Sequence, residues 1–264
     1  MDYSRYTSLA VTQDEGLFTV TLNRPEVRNV VDETTHDELA TIFTELDQDD
    51  RCEVIILTGA GGFFCGGGDL NWLLDIHGDS LRTAHGNRSN QRIQSSMLDL
   101  EKPIIAKVRG AAVGLGASLA LCCDFVYATP DSSFADPHVA VGLVAGDGGA
   151  YLWPQLIGYA RARRYLLTGD AICGTDAAAI GLITEAVADE DLDEVVDAMA
   201  RRLLNGARLA IKWTKVAINA GLKATAASVM DRGAALENLS FMTNDSRIAF
   251  EAFADKRRPK FTGS

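Results

Sequence analysis

The sequence predicts an α/β fold, a βα core over residues 1–190 followed by a helical region over residues 191–264. Three observations predict it. Short apolar runs at 54–57, 103–108 and 125–128 alternate with stretches of helical spacing, the rhythm of parallel strands with crossover helices. From Leu192 onward the chain reads almost entirely as helix. Glycines crowd two stretches, 59–68 and 142–149, where the backbone turns tightly or lets a ligand approach.

The elements follow in order. Leu17–Leu22 alternates as a strand does, with Phe18, Val20 and Leu22 on one face, and Asn23, Arg24 and Pro25 stop it. Asp32 is placed to cap a helix that turns Thr35, Leu39, Ile42 and Leu46 inward. Asp47, Asp49 and Asp50 end that helix in solvent. Val54–Leu57 is a strand buried on both faces. The loop GAGGFFCGGGD at 59–69 lacks the ending of a Walker A loop and is no dinucleotide fingerprint. Asp69 caps a helix over 70–76, and residues 90–100 form another. The polar connector between them, 77–90, either shapes a pocket or runs over the surface. Pro103–Val108 is a strand, Gly114 opens a helix of small residues to Leu121, Asp124 anchors a turn, and Phe125–Ala128 is a strand. A basic-faced helix over 160–167 carries Arg161, Arg163 and Arg164. Thr175 caps a helix that Gly181 ends, and 182–187 returns to the core. Helices then cover 192–204, 207–220, 224–242 and 248–253, joined near Gly206 and Gly221.

Composition narrows the function. The chain has 264 residues, a formal net charge of -11 and 47% hydrophobic residues. Such an acidic chain lacks the basic footprint of a nucleic-acid binder. No apolar stretch is long enough for a membrane span or a signal core. Five cysteines without CxxC spacing read as free thiols of a cytoplasmic protein, and no metal site is expected. The basic tail KRRPKFTG at 256–263 is a solvated end, or else an anion or subunit contact.

The chemistry centres on FADPHVAVGLVAGDGG at 134–149. His138 and Asp147 are its catalytic candidates. A carboxylate beside an imidazole fixes the tautomer and raises its basicity, so that the ring can activate water. A satisfied core histidine is the competing reading. The amides of Gly68 and Leu115 are candidates for an oxyanion hole, because glycine-rich turns can aim two N–H groups at one oxygen. Ser118 faces a pocket only if its helix is suitably rotated. Trp153 and Tyr151 line a substrate cavity or pack the core.

The motifs NRPEVRN at 23–29, LTGAGGFFCGGGDL at 57–70, KPIIAKVRGAAVGLGASLALCCD at 102–124 and FADPHVAVGLVAGDGG resemble the crotonase, or enoyl-CoA hydratase/isomerase, superfamily. So do LLTGDAICGTDAAAIGLITEAV at 166–187 and AFADKRRPKFTG at 252–263. The resemblance implies a crotonase-like spiral of repeated ββα units. It implies a C-terminal helical region, 191–264, that serves trimerisation and covers the active site, in homotrimers or dimers of trimers. It also implies chemistry through a thioester enolate held by the Gly68 and Leu115 amides. No cofactor is tightly bound; coenzyme A arrives as part of a small-molecule substrate, and Arg24, Arg28, Lys256 and Lys260 would hold it. Ser118 and Trp153 would belong to the substrate pocket.

One departure stands out. Hydratases of the superfamily add water with two glutamates, and their positions here carry Ser118 and His138. The resemblance as a whole implies an enoyl-CoA hydratase-like enzyme acting on an acyl-CoA. The His138/Asp147 pair instead resembles that of the 6-oxocamphor hydrolase branch, which hydrolyses a carbon–carbon bond of cyclic 1,3-diketones. There His138 would deprotonate water and Asp147 would orient it. A non-catalytic binding or assembly protein is the third reading.

Overall fold

A computed structural model describes residues 1–264. The chain opens with β1 (Leu9–Asp14) and β2 (Leu17–Leu22), then α1 (Glu33–Gln48), β3 (Val54–Gly59), α2 (Leu70–Ile76) and α3 (Ser80–Asp99). It continues through β4 (Ile104–Val108), β5 (Ala111–Val113), α4 (Leu115–Leu121), β6 (Phe125–Ala128) and β7 (Ser133–Ala135). A 3-10 turn at His138–Val141 leads to α5 (Gly149–Thr168), β8 (Ile172–Cys173), α6 (Gly174–Ala179) and β9 (Glu185–Ala186). Three helices finish it: α7 (Asp189–Leu204), α8 (Arg208–Phe241) and α9 (Asn244–Ala254). No helix is long and apolar enough to cross a membrane.

Six strands form one sheet in the order β1-β2-β3-β4-β6-β9, and three form a second in the order β5-β7-β8. Only β1–β2 and β7–β8 pair antiparallel; the other pairs are parallel. Parallel strands need crossovers, and α1, α3 and α4 supply them. Residues 54–57 of β3 are buried on both faces. Ile55 and Leu57 enter the main core with Phe18, Leu39 and Ile42. Val54 and Ile56 face the other way, against Leu192, Val196 and Ala200 of α7. Asp32 caps α1 as its sequence suggests, its carboxylate accepting from the Thr35 amide at 2.8 Å.

The structure corrects four of the expected helix boundaries. Residues 80–90 are no connector but the first half of α3, which Asp79 caps by accepting from the Leu81 and Arg82 amides. Its buried residues include Thr83, Asn87, Ser89 and Asn90, so hydrophobic spacing gave no sign of a helix. The helix expected at 160–167 is the second half of α5, which bends at Gly158, a residue with φ 76°. Gly221 does not interrupt α8; one glycine costs only about 1 kcal/mol inside a helix. Thr175 is not a cap: α6 already starts at Gly174, and the Thr175 hydroxyl donates to the Pro130 carbonyl.

Asp49 is not in solvent either. It is buried, and its carboxylate accepts from the Tyr3 hydroxyl, the N-terminal ammonium and the Arg51 guanidinium. An ion pair between buried Lys215 and half-buried Asp124 pins α8 to the sheet. The Lys215 ammonium donates to Asp124 Oδ2 at 2.7 Å and to the Lys102 carbonyl at 2.8 Å, while Asp124 accepts from the Ile104 amide.

Candidate active site

One cavity of about 600 Å³ lies between the two glycine loops, α2, α3 and the C-terminal helices. Its wall includes Gly68, Leu115, His138, Asp147 and Glu237. The loop NRPEVRN shapes one rim. Asn29, buried and at φ 54°, fastens that loop to the first glycine loop by donating to the Ala60 and Phe63 carbonyls.

The two amides are placed by different devices. Gly68 sits in an isolated bridge opposite Val31, where its neighbours Gly67 and Asp69 make the ladder bonds. Leu115 is the first residue of α4, so its N–H has no carbonyl one turn back to reach. Neither amide donates a hydrogen bond within the fold. Gly114, just before Leu115, adopts φ 53°, and a Cβ there would stand 3.5 Å from His138 Cε1. The free amide of α4 and the imidazole are therefore neighbours.

His138 lies between two carboxylates. Its Nε2 is 3.3 Å from Asp147 Oδ2, and its Nδ1 meets Asp136 Oδ1 in a short hydrogen bond. Asp136 was not singled out by the sequence, although it stands two residues before His138 in the same motif. Its side chain is fully buried under the first turn of α5. A Cβ at Gly149 would fall 1.8 Å from Asp136 Oδ2, so only glycine admits that carboxylate. The positive end of α5 favours a negative charge there. Burial opposes charge on His138, but the attraction of Asp147 and Asp136 outweighs it and lifts the imidazole pKa well above its ordinary 6.5. At rest the ring is an imidazolium held by two aspartates.

Asp147 is itself fixed. Ser118 Oγ donates to its Oδ1 at 3.4 Å, and Gln94 of α3 donates to its backbone carbonyl at 2.8 Å. The Tyr151 hydroxyl holds Gln94 in turn, at 2.7 Å. Ser118 thus stands behind Asp147 and supports it rather than lining the cavity. Trp153 lies outside the cavity altogether. It is fully buried in the main core, its ring 5.6 Å from that of Tyr165. An indole and a following tyrosine on one helix carry no mark that separates core from pocket.

Glu237 is a second group that sequence reasoning missed. It reaches the cavity from α8, where Gly233, Ala234, Glu237 and Phe241 form a buried stripe. A carboxyl in an otherwise small and apolar stripe was the available signal. Burial, reinforced by the charges of Asp147 and Asp136, pushes its pKa up to about 8 against the pull of His138. It is a neutral acid at pH 7, and its Oε2 has no hydrogen-bond partner. Cys65 and Cys122 lie close by, but burial holds both thiols at about 12, which removes a cysteine nucleophile. Asp136, His138 and Asp147 also lie close enough together to surround a cation. While the ring is an imidazolium both of its nitrogens carry protons, so in that form it has no lone pair to offer a metal.

The four basic residues separate. Arg28 is exposed at the rim, lines the cavity and lies over the Phe63 ring at 5.3 Å. Arg24 is spent inside the fold, donating to the Val30 carbonyl at 2.8 Å and pairing with Asp32 at 3.0 Å. It does not line the cavity, so it is no free phosphate ligand. Lys256 and Lys260 are exposed on the tail and do not line this cavity.

Residues 12–264 match the family model described as enoyl-CoA hydratase/isomerase. A crotonyl-CoA hydratase of Syntrophomonas wolfei is 31% identical over 97% of this chain and 98% of its own. The crystal structure of an enoyl-CoA hydratase/isomerase from Mycobacterium paratuberculosis superposes with a TM-score of 0.91 at 34% identity, covering 94% of this chain and 99% of that one. A β-diketone hydrolase from the cyanobacterium Anabaena sp. PCC 7120, bound to (S)-3-oxocyclohexyl acetic acid, superposes with a TM-score of 0.84 at 28% identity, covering 90% and 96%.

Proposed function

The chain belongs to the enoyl-CoA hydratase/isomerase family, and from that premise we propose that it hydrolyses a carbon–carbon bond of a cyclic 1,3-diketone. The observation that carries this reading is His138 between two carboxylates, in a cavity whose wall also holds two residues with unengaged amides. His138 would activate water at the position where, by the motif resemblance, hydratases of this family keep a glutamate. The likeness to the β-diketone hydrolase supports the same reading.

The residues divide the steps. The Gly68 and Leu115 amides hold one ketone oxygen of the substrate. Asp136 takes the orienting role that the sequence suggested for Asp147, because it binds Nδ1 from the buried side. Asp147 faces Nε2, on the side where the attacking water stands. Turnover starts from the fraction of enzyme in which the imidazolium has lost its proton. Water then gives a proton to Nε2, and the hydroxide adds to the second ketone carbon. The bond from that carbon to the central carbon breaks, leaving a carboxylic acid, and its electron pair passes to the oxygen held by the amides as an enolate. The neutral Glu237 carboxyl is placed to protonate the enolate carbon, and the imidazolium proton returns the charge balance.

The second reading is hydration of an enoyl-CoA by the same water. Arg28 at the cavity rim and the CoA-thioester relative favour it. In that reading Lys256 and Lys260 would meet the phosphates of a ligand in a neighbouring subunit of a trimer or hexamer. The exposed Leu209, Trp213 and Ile218 of α8 support self-association. Incubation with 2,2-dimethylcyclohexane-1,3-dione decides between the two readings. Release of 6-methyl-5-oxoheptanoic acid is expected. Hydration of crotonyl-CoA without diketone cleavage would replace the first reading with the second.

A further inference from the structure

We propose that Trp72 and Asn90 form a second recognition subsite in this cavity, which takes a neutral oxygen of the substrate remote from the carbonyl that reacts. It deepens the hydrolase reading and rests on it only for the identity of that carbonyl. Asn90 is 6% exposed and lines the cavity, yet its carboxamide makes no hydrogen bond in the fold, and its Oδ1 is buried without a partner. Trp72 lines the same cavity, and its Nε1 is likewise buried and unpartnered. Buried polar groups of a native fold are paired almost without exception, and an unpaired one lowers stability. Two such groups on residues that line one cavity, Trp72 also bordering the smaller cavity beside His36, mark a place for a ligand's hydrogen bonds.

The two belong to one patch. Gly86 and Asn90 are one turn apart on the same face of α3. The Cζ2 atom of Trp72, on the Nε1 edge of the indole, packs 3.9 Å from where a Gly86 Cβ would stand. Gln94, one turn beyond Asn90, grips the Asp147 carbonyl. The patch therefore starts roughly 6 Å and ends roughly 12 Å along α3 from the Asp147 loop.

Its chemistry selects the ligand atom. Trp72 can only donate, while the Asn90 amide can donate or accept. His36 lies against Trp72, ring centroids 5.4 Å apart, and burial pushes its pKa down to about 4, so it is uncharged. Arg28 is the only lysine or arginine lining the cavity, and it sits over Phe63. A carboxylate at the patch would have no counter-charge. A ketone oxygen can accept from both Trp72 Nε1 and Asn90 Nδ2, and a hydroxyl can in addition donate to Asn90 Oδ1.

The test uses two ligands that differ only in a remote ketone, 2-methyl-2-(3-oxobutyl)cyclohexane-1,3-dione and 2-butyl-2-methylcyclohexane-1,3-dione. Binding is read by calorimetry in a His138→Gln background that stops turnover, and turnover is read in the unmodified enzyme. The oxobutyl compound is expected to bind about tenfold tighter. Asn90→Leu or Trp72→Phe should bring that ratio close to one. Asn90→Leu should melt no lower than the parent, since it removes an unpaired amide while keeping the shape, whereas a structural asparagine would lower it. A preference in binding without turnover of either compound keeps the subsite and sinks the hydrolase reading. Equal affinities, binding of neither compound, or a preference that survives both substitutions overturns the subsite.

Discussion

Two clusters of buried charge sit in this molecule and are built on opposite principles. Around Asp49 every demand is met: Tyr3, the N-terminus and Arg51 donate to its carboxylate, and Lys102 donates to the Leu46 and Asp49 carbonyls at 2.6 Å. Arg51 beside it holds the Asp49 carboxyl well below the usual range. Around His138 the demands are left open. Glu237 Oε2, Asn90 Oδ1 and Trp72 Nε1, on residues that line the cavity, have no partner, and one carboxyl is pushed up to about 8. Saturation marks a charge that holds the fold, and open valence marks one kept for a visitor.

That contrast can be broken by experiment. The largest effect is expected from His138→Gln, a loss of about 10³-fold or more in turnover with the fold retained by circular dichroism. Retained turnover would end the dyad assignment. Asp136→Asn should cost about 10²-fold or more, because a neutral amide neither stabilises the imidazolium nor fixes the Nδ1–H tautomer as the carboxylate does. Asp49→Ala should leave turnover per folded molecule unchanged while lowering stability to urea by about 3 kcal/mol. Lost catalysis in that variant would erase the distinction between the clusters.

Two pH measurements sharpen it. The raised His138 pKa means that the neutral, water-activating ring gains population as pH rises, so kcat/KM should climb with pH until Glu237 gives up its proton near 8. Asp147→Asn removes a negative charge, lowers that pKa and moves the climb to lower pH. For stability the sign is different. The ordinary Glu237 carboxyl titrates near 4.5 and the folded one near 8, so over that window the native state holds the extra proton. Stability from this group is present below 4.5 and lost as pH rises through 8. Glu237→Gln should therefore gain on the wild type in alkaline melting curves, by on the order of 1–3 kcal/mol at pH 9. Parallel curves would mean that Glu237 is not a buried acid.

Legibility in the sequence followed the physics of each part. Alternation in β2, the apolar run of β3 and the Asp32 cap are local signals, and each is in place in the structure. The first half of α3 was hidden because its buried side chains are polar, and Thr83, Asn87 and Asn90 among them turn out to line the cavity. His138 and Asp147 could be named because glycines frame them. Asp136 escaped notice because nothing in its neighbours reveals that it would be buried against the start of α5. Glu237 escaped because 90 residues separate it from Asp147, and only the packing of α8 on the Gly146 turn joins them. A Cβ at Gly146 would stand 2.8 Å from the Gly233 carbonyl, which measures how closely that helix approaches.

The unbroken α8 has a mechanical consequence. Lys215 bolts one end of it to Asp124 and the Lys102 carbonyl. Glu237 sits 22 residues on, about 33 Å along the rod. Near the far end Asn87 clamps it again, donating to the Ala234 carbonyl and to Asn238. A beam pinned at two points does not swing, so the acid that it carries is stationary. Whatever travel the catalytic cycle requires must come from the short loops that carry the imidazole and its aspartates.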